Sequence, residues 1–225
     1  MNATVFPPLK DCPQPPLTDT QKRILELKKE RDAVILAHNY VCPEIQDVAD
    51  YVGDSLGLSR QAKKAGAKVI AFAGVDFMAE TAKILNPDKT VVIPDRAAGC
   101  SLEELCEPLE LAAFKKKHPG ALVISYINCG AGVKELSDII CTSGNALDIV
   151  RQIPADREII FCPDQNLGSW IIEQTGRDMI LWNGYCRAHV QYNAEELLEA
   201  KKAFGGAPLV CHPECPKAVR DVSDC

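Results

Sequence analysis

Three groups of chemically capable residues stand directly after short apolar runs of the chain. His38, Tyr126 and His212 are 88 and 86 residues apart, and they begin the strings HNY, YIN and HPE. An acidic residue follows each of them by 12 positions, and a serine follows the first two by 17 (Asp50, Asp138, Asp224; Ser55, Ser143). Imidazole, phenol, amide and carboxylate groups brought together suit proton transfers on a small polar substrate. The spacing predicts an internal repeat of roughly 85 residues whose polar strand ends face one cavity.

The strings GDSL at 53–56 and TSGN at 142–145 lie at equivalent places of the first two repeats. Each can form a turn before a helix, where free backbone N–H groups and the helix dipole attract a phosphate or carboxylate. Simple N-capping by Ser55 and Ser143 explains the same strings equally well. GDSL also occurs in serine hydrolases, but the tail DVSDC lacks the histidine that they place near the C-terminus. A hydrolase with Ser55 as its nucleophile therefore stays an alternative.

Eleven cysteines are the unusual feature of the composition. Their odd number and the lack of an export signal favour reduced thiols over disulfides, and the lack of a C-x-x-C argues against zinc. Cys100 and Cys186 follow their repeat anchors by 62 and 60 positions, each just before a helix N-terminus that favours a thiolate, and His189 follows Cys186 by three. Thiolates from separate repeats suit an iron–sulfur cluster with one iron left open to substrate. On this spacing a third thiolate falls at about residue 273, past the 225 residues of the chain.

Short β-branched runs alternate with amphipathic stretches, which predicts βαβ units and parallel sheets. The predicted strands are 34–37, 68–73, 91–93, 122–126, 158–161, 179–182 and 208–211, and the predicted helices are 19–31, 44–52, 56–65, 107–118 and 194–204. The expected fold class is α/β, a pseudo-threefold repeat of αβα sandwich domains with the third repeat incomplete. The predicted divisions are a mobile tail at 1–20, repeats at 34–120 and 121–206, and the start of a third at 207–225. Residues 21–37 and 195–225 would belong to the incomplete third repeat or to a shared layer.

The composition excludes several classes of protein. The 225 residues carry 25 basic and 31 acidic side chains, a net charge of −6, which argues against a broad nucleic-acid or membrane surface. We find no apolar run near the roughly 20 residues of a membrane helix and no export signal at the start, so a cytoplasmic protein is expected.

Six strings resemble the quinolinate synthase family, the A protein of de novo NAD biosynthesis. They are AHNYVCPEIQDVADYVGDSL, FAGVDFMAETAKILNPDKTVVIPDRAAGCSL, SYINCGAGVKELSDIICTSGNA, FCPDQNLGSW, NGYCRAHVQY and CHPECP, and the match runs from about residue 20 to the end. The resemblance implies three αβα domains around a [4Fe-4S] cluster. It also implies condensation of iminoaspartate with dihydroxyacetone phosphate to quinolinate, with phosphate and water released. L-aspartate oxidase or aspartate dehydrogenase would supply the iminoaspartate, and neither nucleic acid nor membrane would be a partner.

The resemblance assigns roles to matching positions. Cys100 and Cys186 would be cluster ligands, and the open iron would act as a Lewis acid. The implied catalytic residues are His212, Glu214, Tyr126, His38 and Tyr40. The implied substrate-binding residues are His38, Ser55, Tyr126, Asn128, Ser143, His189, His212 and Glu214. Phe77 and Met78 would form an apolar wall of the cavity, with plain core packing as an equal alternative.

The chain departs from the family pattern in its last part. The Gly/Ser-Thr turn of the third unit and the third cluster cysteine are missing from these 225 residues. We therefore expect a C-terminally truncated member whose cluster is labile and whose quinolinate formation is weak or absent. A non-catalytic truncated paralogue is the alternative from another class.

Overall fold

Two runs of buried β-branched and apolar residues form the centres of two separate parallel sheets. The computed structural model describes residues 16–225, apart from the side chains of Ser55, Leu56 and Ser59. The first sheet contains β1 (Ala33–His38), β2 (Tyr51–Gly53), β3 (Val69–Ala73) and β4 (Thr90–Val92) in the order β2-β1-β3-β4. The second contains β5 (Leu122–Tyr126), β6 (Ile139–Cys141), β7 (Ile159–Cys162) and β8 (Ile180–Leu181) in the order β6-β5-β7-β8.

Helices cover both sheets, which explains why the central strands are apolar along their whole length. All four residues of β7 are buried, as are the four inner residues of β1. The helices are α1 (Asp19–Glu30), α2 (Pro43–Gln46), α3 (Ser55–Lys64), α4 (Asp76–Leu85), α5 (Ser101–Glu104), α6 (Pro108–Lys117), α7 (Ala131–Leu136), α8 (Ala146–Gln152), α9 (Gln165–Thr175), α10 (Ala194–Ala203) and α11 (Lys217–Val222). Within residues 16–225, no helix is both long and apolar enough to cross a membrane.

One carboxylate contact recurs at three places of the chain. The Asp50 carboxylate accepts a hydrogen bond from the backbone N–H of Ile35 at 2.8 Å, and the Asp50 N–H donates to the Ile35 carbonyl at 2.9 Å. The same pair of bonds joins Asp138 to Val123 at 2.8 and 2.9 Å, and Asp224 to Leu209 at 2.7 and 2.7 Å. Each aspartate thus attaches the segment after a signature loop to the strand or extended segment before it.

The prediction of an α/β fold with parallel sheets is confirmed, and six of the seven predicted strands coincide with observed ones. The strand predicted at 208–211 is wrong: this segment pairs only with Asp224 and Cys225, which is too little to make a ladder. The helix predicted at 44–52 is also wrong, because α2 ends at Gln46 and β2 occupies Tyr51–Gly53. The hydrogen bonds of Asp50 to Ile35 place residues 51–53 beside β1 in the sheet, although the sequence around them has the periodicity of a helix.

The predicted tail at 1–20 lies mostly outside the described residues, which begin at 16. Asp19 and Thr20 already belong to α1, so the tail boundary was set too late. The Thr18 hydroxyl accepts from the Gln21 N–H at 3.2 Å, and the Gln21 side chain accepts from the Thr18 N–H at 2.8 Å. This capping box starts the helix before residue 21.

The two sheets meet through acidic side chains of α4 and α5. Glu80 accepts from the Ala131 N–H at 2.7 Å at the start of α7. Burial, together with the charges of Glu80 and Asp76, raises the pKa of the nearby Glu103 carboxyl to about 7. The surroundings of Glu103 therefore favour its neutral carboxylic acid form.

We expect Glu103→Gln to raise the free energy of unfolding by about 1 kcal/mol at pH 8 and to change it little at pH 5. The pKa of Glu103 is higher in the folded chain than its ordinary 4.5. The stability that the neutral Glu103 side chain contributes is therefore fully present below pH 4.5 and is lost as the pH rises through 7. Chemical denaturation of both proteins at the two pH values measures the effect, and a gain that does not depend on pH would contradict it.

Candidate functional site

The polar signatures lie where the first strand of each sheet ends and in a loop near the end of the chain. His38 is the last residue of β1 and Tyr126 the last of β5, while His212 and Glu214 lie in the loop before α11. In parallel sheets the carboxyl ends of the strands are where ligands bind. The structure therefore places His38 and Tyr126 at the edge of each sheet where the strands have their carboxyl ends, which is the edge where ligands bind.

Glu214 is the centre of the best-defined cluster. Its side chain is 3% exposed, although it is charged. The Nδ1 atom of His189 lies 3.0 Å from Glu214 Oε2, and the Nδ1 atom of His212 lies 3.7 Å from Oε1. The two imidazole rings stack with their centroids 5.0 Å apart and an interplanar angle of 26°. The Glu214 backbone N–H donates to His212 Nδ1 at 3.2 Å, so Glu214 contacts one histidine through its carboxylate and the other through its backbone.

The three groups of this cluster differ in charge. Burial alone would raise the pKa of Glu214, but contacts with His189, His212 and Tyr126 outweigh it and the pKa is lowered. Contacts with Cys186 and then Glu214 raise the pKa of His189 to about 10. Burial lowers the pKa of His212, although Glu214 opposes the shift. At neutral pH the arrangement favours a carboxylate, an imidazolium at 189 and a neutral imidazole at 212.

The Tyr126 hydroxyl belongs to the same cluster. Its ring is buried, and the hydroxyl interacts with both Glu214 and Ser143. Burial first and the Glu214 charge second raise the pKa of Tyr126 far above its usual value, while Ser143 opposes them. Tyr126 therefore stays a neutral phenol, which can donate a hydrogen bond or a proton but cannot act as a resting base.

Cys100 and Cys186 are brought together beside this cluster. Ligand atoms of Cys186, His189 and Glu214 all lie within 4.8 Å of one another. Burial raises the pKa of the Cys100 thiol, the N–H groups of Leu102 and Glu103 oppose the shift, and the charges of Cys186 and Glu214 act on it as well. The Arg187 N–H donates to Ser101 Oγ at 3.0 Å and ties the two cysteine loops together. Two partly buried thiols close enough to act on one another's charge are a donor set that fits iron.

Asp164 is a functional candidate that the sequence analysis missed. It is fully buried after β7, where its carboxylate accepts from the Leu167 N–H at 2.6 Å and from the Cys186 N–H at 3.1 Å. Burial raises its pKa to about 7, and the Leu167 N–H opposes that shift. Asp164 caps α9 and holds the Cys186 loop with the same side chain. Its place at the carboxyl end of a strand, in the string CPD, was the available signal.

We expect Asp164→Ala to lower the free energy of unfolding by about 2–3 kcal/mol, because it leaves two buried N–H groups without an acceptor. Asp164→Asn keeps an acceptor for α9 but turns an N–H₂ group toward Cys186, so about half of that loss is expected. Chemical denaturation of the three proteins measures the difference. Equal losses in the two variants would show that the charge of Asp164, and not its hydrogen bonds, carries the effect.

His38 and Tyr40 lie on the other side of the cysteines. Their ring centroids are 4.0 Å apart, and the Tyr40 hydroxyl is 3.9 Å from the sulfur of Met78. Burial first, with the Cys100 charge adding to it and a backbone contact at Val75 opposing, raises the pKa of Tyr40. The Tyr40 side chain is 56% exposed. Cys100 thus stands between the Glu214 cluster and this aromatic pair.

A cavity of about 360 Å³ lies between the two sheets and is lined by Tyr126, Asn128 and Ser143 together with Asp54, Gly57 and Arg60. Of the two interpretations of the strings GDSL and TSGN, N-capping by Ser55 and Ser143 is wrong. Asp54 caps α3 by accepting from the Gly57 N–H at 2.6 Å, and Asn145 occupies the cap position of α8. Ser55 is the first residue of α3, and its side chain lies outside the described part of the chain. Arg60, which the sequence analysis missed, places a cation in this cavity.

Phe77 and Met78 are 1% and 4% exposed and pack in the core of the first sheet. Of the two interpretations of these residues, core packing describes Phe77. Met78 packs in the core and also meets the Tyr40 hydroxyl.

Comparison with known proteins places the chain in a family. A profile of the family described as Quinolinate synthetase A protein matches residues 22–225. A quinolinate synthase of Synechocystis is 56% identical over 219 residues, which is 97% of this chain and 68% of the relative. A quinolinate synthase of Thermosynechococcus vestitus is 58% identical over 209 residues, 92% of this chain and 66% of the relative. The chain thus spans about two thirds of the length of these relatives. It belongs to the quinolinate synthetase A protein family.

Proposed function

We propose that the chain serves quinolinate synthesis, the condensation of iminoaspartate with dihydroxyacetone phosphate. The observation that carries the proposal is the buried Glu214 carboxylate, which meets His189, His212 and Tyr126 beside Cys186. These groups come from distant parts of a chain that belongs to this family. The Glu214 side chain therefore lies among one imidazolium, one neutral imidazole and one neutral phenol.

Cys100 and Cys186 are proposed ligands of a [4Fe-4S] cluster. When bound, the cluster supplies a Lewis acid for a substrate hydroxyl or carboxylate. Asp164 and Ser101 orient the Cys186 loop through the N–H groups of Cys186 and Arg187. The rest of the chemistry falls to side chains of this chain.

The charge states suggest how the proton carriers divide the work. His212 accepts the Glu214 backbone N–H at Nδ1 over 3.2 Å, so its neutral, partly exposed imidazole presents Nε2–H to a substrate as a donor. Tyr126 stays a neutral phenol and is proposed to donate a hydrogen bond from its hydroxyl to a reacting substrate oxygen. His189 is a cation that suits a substrate carboxylate, and Glu214 holds both imidazoles in place. His38 and Tyr40 are proposed to complete the cavity from the side of the first sheet.

Both substrates are anions, and the cavity between the sheets offers groups that suit them. Arg60 supplies a positive charge, and Asn128 and Ser143 supply polar side chains. Ser55 at the start of α3 is proposed to add its N–H and hydroxyl, as the resemblance implies. The enzyme that delivers iminoaspartate, L-aspartate oxidase or aspartate dehydrogenase, would be a functional partner. A cytoplasmic location stays a prediction.

We also propose that the chain is built from αβα repeats at 34–120 and 121–206, with the start of a third at 207–225. The identical strand orders of the two sheets and the three aspartate contacts support this division. Residues 21–37 and 195–225 are proposed to belong to the incomplete third repeat or to a shared layer.

The test is quinolinate formation from iminoaspartate and dihydroxyacetone phosphate after anaerobic loading with iron and sulfide, in wild type and Cys100→Ser treated alike. Even a weak rate supports the proposal if it requires iron and Cys100. No product from a wild-type chain that carries its full iron would favour the non-catalytic paralogue. Ester hydrolysis that ignores iron and is abolished by Ser55→Ala would favour the hydrolase.

A further inference from the structure

A side-chain donor reaches back to the signature loop in each of the three places. Gln46 of α2 donates to the carbonyls of Val41 at 2.8 Å and of Asn39 at 3.1 Å. Arg220 of α11 donates to the carbonyls of Cys215 at 2.7 Å and of Pro213 at 3.5 Å. Lys134 of α7 donates to the carbonyl of Cys129.

These contacts follow one register. In each loop the donor lies eight residues after the starting residue, which is His38, Tyr126 or His212. The residue whose carbonyl accepts the hydrogen bond lies three residues after the same starting residue. In the first and last loops the donor also reaches the carbonyl of the residue directly after the starting residue. The donors are an amide, an ammonium and a guanidinium, so charge is not what they share. They share an N–H that spans the loop.

The helices that carry the donors give the loops little other support. They have four, six and six residues, and a helix this short contributes little stability of its own. None of the three has a side-chain hydrogen bond at its N-cap, Cys42, Gly130 or Pro216. Instead, the loop carbonyls accept hydrogen bonds from a side chain of the helix itself. That side chain lies one turn or less from the C-terminus of the helix.

We infer that Gln46, Lys134 and Arg220 are positioning residues that hold the three signature loops of the candidate site in their functional shape. Arg220 holds the loop that carries His212 and Glu214, and Lys134 the loop that carries Asn128. Gln46 holds the loop that carries Asn39 and Tyr40. The inference concerns the site of the proposed function and rests on it for its catalytic consequence.

Arg220 is the strongest of the three. Its side chain is 7% exposed, and besides the two loop carbonyls it donates to the Asn166 carbonyl at 3.3 Å, Ser169 Oγ at 3.1 Å and Glu173 Oε1 at 3.2 Å. The last three acceptors belong to α9. Arg220 therefore fastens the Glu214 loop to the helix that Asp164 caps. The competing interpretation is that Arg220 only docks α11 on α9.

Two variants separate the two interpretations. Arg220→Gln gives the third loop a glutamine donor, the residue type that Gln46 provides in the first loop. This side chain is long enough to reach the carbonyls of residues 213 and 215, but it has no guanidinium for Glu173. Arg220→Met fills similar space and donates nothing. Glu173→Gln removes the charge of the α9 partner and leaves the loop contacts in place.

The measurement is hydrogen exchange by mass spectrometry of the peptide that covers residues 209–216, with strands β5 and β7 as internal references. We expect Arg220→Met to speed exchange of this peptide by roughly tenfold or more, and Arg220→Gln and Glu173→Gln to stay within about threefold of wild type. Equal loosening in Arg220→Gln and Arg220→Met, or no loosening in Arg220→Met, would overturn the inference.

Parallel arms keep the test decisive. If Arg220→Met does not fold, Gln46→Met with exchange of the peptide over 38–42 tests the same register in the first loop, and an unchanged rate there overturns it. Quinolinate formation is measured beside exchange, and rescue of the rate in Arg220→Gln relative to Arg220→Met supports positioning. Because exchange needs no turnover, a failed assay with the expected exchange pattern contradicts the proposed function alone.

Discussion

Glu214→Gln is expected to lower kcat/KM for quinolinate formation by roughly 10²–10⁴-fold while the chain stays folded. The substitution keeps the shape of the side chain but removes the charge that both histidines face at 3.0 and 3.7 Å. The pKa of His189 then falls, because Glu214 is one of the groups that raise it. The Tyr126 hydroxyl loses its carboxylate partner as well. Proton transfer and orientation are thus weakened by one change.

The measurement compares initial rates in preparations matched for iron content. Glu110→Gln, an exposed glutamate on α6, is the matched control and should keep the wild-type rate. Circular dichroism verifies that both variants are folded. A rate within about threefold of wild type for Glu214→Gln would remove this carboxylate from the catalytic machinery.

Cys186→Ser is expected to reduce the iron and sulfide bound after anaerobic reconstitution to less than about one tenth of the wild-type amount. A serine hydroxyl is a poor substitute for a thiolate on iron, and Cys186 lies beside Glu214 and His189 in the only group of candidate metal-ligating atoms found among the described residues. Cys100 lies close enough to Cys186 and Glu214 for their charges to act on it. Iron and acid-labile sulfide per chain are the quantities to measure.

Cys42→Ser is the control for the loss of a thiol, because Cys42 is exposed at the start of α2 and away from the Glu214 cluster. It should bind as much iron as wild type. If Cys186→Ser binds as much as Cys42→Ser, the assignment of Cys186 as a ligand is wrong, whatever the activity of the preparation.

Much of the fold could be predicted because its signals are local. Runs such as 34–37 and 122–126 are apolar throughout, which is typical of strands covered on both faces. The strands β2 and β6 were not predicted, and most of β2 fell within the helix predicted at 44–52. Their place beside β1 and β5 is decided by Asp50 and Asp138, whose carboxylates bind strand residues 15 positions earlier.

The site was predictable in its members more than in their roles. His212, Glu214, Tyr126 and His189 were singled out by position and by resemblance, and the structure brings them together. Asp164 was missed although its strand-end position was a signal, and Arg220 was missed because it acts on acceptors up to 54 residues away that no local pattern connects to it. The serine N-caps were wrong because an adjacent aspartate and asparagine occupy the cap positions.

Periodicity and spacing are properties of the linear chain, so they indicate that parallel sheets are covered by helices and which polar residues end their strands. The folded structure adds that one buried glutamate contacts two histidines and a tyrosine, and that three unlike donors hold the three loops. Burial and side-chain direction set charge states and hydrogen bonds, and both depend on contacts between segments that are far apart along the chain.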